Sequence, residues 1–178
     1  MINSIYIEEL ASTIREELGL NIPTPVEDVP NLLGGKLQFV DEVIKSNESI
    51  EAMIKKVENS FEIKIKKNGY EKRDRFSIAH ELGHLFLHMG YIIEDELWSS
   101  TEEYTDSVYF RYGYGTEEKE ADQFAASFLM PKDKFIEKAE ENLSGGVFQL
   151  RPIADYFNVS LKAVEIRGVS LGLFNREG

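Results

Sequence analysis

The chain has 178 residues, 42% of them hydrophobic, no cysteine and a formal net charge of -12. This suits one globular domain with room for a small appendage and excludes a disulfide framework or a cysteine-based zinc cluster, so any metal site has to use His, Asp or Glu. The acidity disfavours broad contact with a nucleic acid backbone, no apolar run is long enough to span a bilayer, and the first residues lack a basic n-region and an apolar h-region, so cytoplasmic residence without membrane or direct nucleic acid contact is expected.

Asn3 or Ser4 can cap a first amphipathic helix, in which Ile7, Leu10, Ala11, Ile14 and Leu18 recur at helical spacing up to Gly19. Pro23 and Pro25 break it, residues 26–33 suit a short second helix, Gly34-Gly35 a turn, and residues 36–40 a strand. Residues 50–57 alternate in part and 61–66 strictly, with Glu58-Asn59-Ser60 between them, which predicts an antiparallel hairpin directing Phe61, Ile63 and Ile65 to the core. The lysines of its last strand then guard a sheet edge, or the same edge takes up an extended peptide by strand addition.

Residues 76–88 hold all three histidines. Asp74 can cap a helix over 74–89, with Phe76, Ala79, Leu82, Leu85, Phe86 and Met89 forming its apolar series and Gly90 ending it. His80 and His84, four residues apart, project from one face on successive turns, so two imidazoles can share one metal ion. Glu81 flanks the same stripe, within reach of a water on that ion, the position a general base for hydrolysis needs. The pattern is H-E-x-x-H. Gly83 lets another element pack close beside the metal face.

Residues 91–117 read as a long irregular stretch with seven acidic residues against Arg111, the character of a lid or binding segment. Helices are expected over 118–130 and 132–141, with a break at Ser144-Gly145-Gly146. A helix-turn-helix-like pattern follows: 153–157, a tight turn, then 161–169 with Ser160 as cap. Residues 147–178 carry a net charge of only +1, little for phosphate contact, so packing or partner recognition is the expected role there.

A hydrolytic zinc ion usually takes three protein ligands and leaves one position open. His88 lies two turns from His80, roughly 12 Å along the axis, too far to share an ion with both histidines. The third ligand is therefore a carboxylate, and the helix beginning Glu118-Lys119-Glu120-Ala121-Asp122 is the best source. Glu118 and Asp122 share one stripe, so Glu118 is assigned as ligand and Asp122 as the acceptor of a ligating histidine's outer N–H. Glu120, on a different face, is expected to be a solvated charge.

The string RFSIAHELGHLFLH, followed by EKEADQFAASFLMP and IADYFNVSLKAVEIRGVSLGL, resembles the ImmA/IrrE-like zinc metallopeptidases. The resemblance implies an α+β fold: a small antiparallel sheet of about three strands packed with a helical zincin core in a peptidase domain over 1–142, then a helix-turn-helix-like subdomain over 143–178. It implicates His80, His84 and Glu118 as ligands of Zn2+ and Glu81 as catalytic base; Mn2+ or Fe2+ suits the same donors. It also implies a protein substrate, a helix-turn-helix transcriptional repressor, cleaved to derepress phage, mobile-element or stress genes. The alternative is a non-proteolytic module that sequesters a repressor or toxin–antitoxin partner. Tyr104, Tyr109, Arg111, Tyr112 and Tyr114 are candidates to stabilise the oxyanion, with His88 a further candidate for that role or for substrate contact. Gly168 stands where a larger apolar residue is usual in the family, from which a looser last helix is expected.

Overall fold

Asn3 starts helix α1 (Ser4–Glu17) by accepting the Ile5 N–H at 2.8 Å, and the Ile7, Leu10, Ala11 and Ile14 face that follows is buried. The computed structural model describes residues 1–45, 48–101 and 115–175. Helix α2 is confined to Val29–Leu32, shorter than 26–33, because Pro30 is tolerated only in a helix's first turn.

Five strands follow: β1 (Lys36–Val40), β2 (Val43–Lys45), β3 (Glu48–Ile50), β4 (Ala52–Val57) and β5 (Ser60–Lys66). The expected α+β class holds, with two corrections to the sheet. β5 lies between β1 and β4, so it is the central strand and not an edge; β1 and β4 are the outer strands. β1 runs parallel to β5 while β4 runs antiparallel to it, because residues 41–59 form a crossover long enough to return the chain in the original direction. Within that crossover β2 and β3 pair antiparallel, which takes Ile50 out of β4. Phe61, Ile63 and Ile65 are buried as the alternation predicts, while on the other face of the sheet Glu62 lies 3.4 Å from Lys55 and 3.6 Å from Lys64.

Helix α3 (Glu71–Leu87) begins three residues before the expected cap. Asn68 Oδ1 accepts the Tyr70 N–H at 2.8 Å and turns the chain into the helix, which leaves Asp74 inside the first turn, where the helix dipole favours an anion. Beyond it, the 91–117 stretch is not wholly irregular, since α4 occupies Asp95–Ser100. Trp98 of α4 packs edge-on against Tyr91, Tyr91 against Phe61, and the Lys56 ammonium sits 4.5 Å from the Trp98 ring centre.

Helix α5 (Thr116–Leu129) packs between α1 and α3. Against α3 the approach is very close: a Cβ on Gly83 would lie 2.9 Å from the Ala121 Cα. Helix α6 (Lys132–Glu141), the hairpin β6 (Leu143–Ser144) and β7 (Val147–Phe148), and helices α7 (Leu150–Phe157) and α8 (Leu161–Ser170) complete the described chain. Asn158 makes the turn between the last two helices with φ 52°, and Ser160 Oγ accepts the Ala163 N–H. At Gly168 the Phe174 ring occupies the space a side chain would need.

Ile153, Phe157 and Val164 belong to the same buried cluster as Ile7, Ile63, Leu82 and Phe124, so α7 and α8 share the core of the rest. Buried guanidinium groups bridge distant segments. Arg75 donates to both Glu27 oxygens, to the Thr24 carbonyl and to the Asn158 carbonyl. Arg167 joins α8 to α1 through both oxygens of Glu8, and to α5 through Ser127 and the Met130 carbonyl. Among the described residues no helix is long and apolar enough to cross a membrane.

Candidate metal centre

Helical spacing alone aligns His80 and His84 on α3, and both are buried, at 9% and 0% exposure. Their Nε2 atoms face each other at 3.1 Å. From α5, Glu118 places Oε2 3.3 Å from His80 Nε2 and Oε1 3.4 Å from His84 Nε2. The close crossing at Gly83 and Ala121 is what brings the α5 carboxylate within this reach.

These separations test whether the three side chains fit a metal ion. Ligand bonds of about 2.0–2.1 Å in a tetrahedral arrangement put donor atoms roughly 3.3 Å apart. The imidazole nitrogens are 3.1 Å apart, each has one oxygen of the Glu118 carboxylate at 3.3–3.4 Å, and one donor atom from each residue lies within 4.8 Å of the others, a set that fits such an ion.

The surroundings favour a cation. Asp122 Oδ1 lies 2.8 Å from His80 Nδ1 and accepts a hydrogen bond from its N–H, which turns Nε2 towards Glu118 and His84. Burial opposes a positive charge on His80, but bonds to Asp122 and Glu118 and the charge of Glu81 outweigh it and push its pKa up to about 10. Burial would raise the Glu118 carboxyl, yet the bond from His80 holds it far below the usual carboxylate range. Glu81 is buried beside these donors on the same helix.

The structure thus brings His80, Glu81, His84, Glu118 and Asp122 to one place. Tyr104, Tyr109, Arg111, Tyr112 and Tyr114 lie outside the described residues. His88 does not sit on an open surface: its ring is buried, with Nδ1 2.9 Å from His84 Nδ1 and Nε2 3.1 Å from Glu120 Oε2. Glu120 is likewise not a solvated charge. It is 5% exposed and accepts the Ile2 N–H at 2.5 Å, because the segment leading into α1 folds over that face of α5. Sequence reasoning missed this pair, although the four-residue step from His84 to His88 repeats that from His80 to His84.

A family model described as Peptidase M78, the IrrE N-terminal-like domain, matches residues 60–168, from the start of β5 into α8. No curated protein matches the chain.

Proposed function

Because the chain belongs to the Peptidase M78 family, the IrrE N-terminal-like group, we propose that it is a zinc-dependent endopeptidase whose ion is held by His80, His84 and Glu118. The observation that carries this reading is the convergence of those three donors, with the Glu81 carboxylate buried alongside. A divalent ion bound there supplies Lewis acidity, polarising a peptide carbonyl and making water a better nucleophile near neutral pH. Two imidazoles and one carboxylate with a position left open suit zinc, and elemental analysis of the purified protein separates it from Mn2+ or Fe2+.

The chain's own residues do the rest. His80 is oriented through its Nδ1–H by Asp122. Glu81 takes the proton from the attacking water and returns it to the leaving amine as the peptide bond breaks. An oxyanion donor is assigned to the 102–114 segment, with Tyr109, Arg111 and Tyr112 as its candidates. Any peptide bound by strand addition pairs with an outer strand, and β4, packed against α3, is the one that leads to the metal helix.

A peptidase family implies a protein substrate; as that substrate we propose a cytoplasmic helix-turn-helix repressor, cleaved to release phage, mobile-element or stress genes. Comparing new protein N-termini in cells expressing the wild type or Glu81→Gln tests activity and substrate together. Repressor-derived termini should appear with the wild type and fall by about 10²–10⁴-fold with Glu81→Gln, while the variant keeps its metal. Equal cleavage by both proteins rejects Glu81 as the base. Metal-loaded protein that yields no new termini points instead to the sequestering role.

A further inference from the structure

His88 and Glu120 lie outside the proposed ligand set, yet both are buried and both are bonded toward it. Their polarity can be read from one end. Ionised Glu120 only accepts, taking the Ile2 N–H on Oε1 at 2.5 Å, so His88 Nε2, 3.1 Å from Oε2, has to donate. A neutral His88 that donates from Nε2 presents a lone pair at Nδ1. That lone pair faces His84 Nδ1 at 2.9 Å, so His84 carries its proton on Nδ1 and is left with a lone pair on Nε2. Nε2 is the atom that faces His80 Nε2 and Glu118.

We propose that Glu120 and His88 form a positioning relay that fixes the tautomer and ring orientation of His84, so that its Nε2 is presented to the metal. The inference rests on the reading of His80, His84 and Glu118 as a metal site, and it adds a support for the second histidine equivalent to the one Asp122 gives the first. The two supports differ in construction. Asp122 acts directly and its side chain is 60% exposed, whereas the relay is buried throughout and anchored on the backbone of Ile2.

Glu120→Gln breaks the relay with almost no change of shape. An amide offers only one acceptor where the native carboxylate receives two donors, so it cannot satisfy both Ile2 N–H and His88 Nε2–H. His88→Leu removes the acceptor of the His84 Nδ1–H outright.

Two measurements on the full chain test the relay. In metal-free protein, 15N shifts of the imidazole nitrogens report each tautomer, and with only three histidines the assignment is direct. His84 should be the Nδ1–H form in the wild type and should lose that preference in Glu120→Gln. Competition with a chromophoric chelator should show Zn2+ binding weakened about 10–100-fold in each single variant, with little further loss in the double variant because both act through His84. An unchanged His84 tautomer, or Zn2+ affinity within twofold of the wild type, overturns the relay; a lowered thermal midpoint in the metal-free protein with affinity intact assigns the pair a packing role only. Absence of Zn2+ binding in the wild type would reject the metal-site reading itself, a failure distinct from that of the relay because the tautomer is read without metal.

Discussion

Helices α3 and α5 serve the same centre by different means. On α3, His80, Glu81 and His84 are placed by the pitch of a single helix, and any sequence that makes the helix makes the spacing. On α5, Glu118, Glu120 and Asp122 reach the same donors only because the whole helix is held at the right height and roll against α3. What holds it is distributed: the Gly83–Ala121 approach on one side, and on the other α1 with the Glu8–Arg167–Ser127 cluster. A site built across two helices is therefore as accurate as their packing.

The sharpest way to break this pairing is to remove what α5 contributes. Glu118→Ala should weaken Zn2+ binding by more than about 100-fold, beyond the effect of losing an outer-sphere partner. Mass spectrometry after equal exposure to limiting zinc reads the loss. Full retention would send the third ligand to another carboxylate.

A smaller effect separates distance from chemistry. Gly83→Ala gains about 1 kcal/mol in helix propensity, but its Cβ would meet the Ala121 backbone, an overpacking cost of roughly 1–3 kcal/mol. Thermal unfolding should show a modest net destabilisation, and chelator competition a roughly 10-fold weaker metal site, comparable with the loss of an orienting contact. Unchanged affinity would show that α5 is positioned independently of this contact.

The smallest effect concerns the far side of α5 and depends on pH. Burial raises the Glu8 carboxyl, but its bonds to Arg167 and Ser127 and the Arg167 charge reverse that and hold it below 4.5. A folded-state pKa below the unfolded value gives stability that is complete above about pH 4.5 and is lost as pH falls through the folded value. Glu8→Gln lacks this contribution at every pH. Denaturation midpoints of wild type and variant should therefore differ at about pH 7 and converge as the pH falls below the folded-state value.

The same contrast explains what could be read in advance. α1, β1, α6, the burial of Phe61, Ile63 and Ile65, and the Ser160 cap follow from short-range patterns, and so does the alignment of His80 with His84. Glu118 and Asp122 were legible as a stripe once a third donor was required. Glu120 was not, because its burial comes from residues 118 positions away in the chain folding over it. The central place of β5 was hidden for a related reason: alternation gives the faces of a strand but not its neighbours. Nor was the space beside Gly168 legible as one that the Phe174 ring fills.

The Glu8–Arg167 pair also has a consequence for biosynthesis. Its partners are 159 residues apart, so α1 is locked to α8 only long after it has been made. At about 5–20 residues per second, α1 waits roughly 8–30 s between its own synthesis and the arrival of α8. Through that interval the Glu8 carboxylate lacks its Arg167 partner. A nascent chain stalled before Arg167 thus carries an α1 that this pair has not yet fastened.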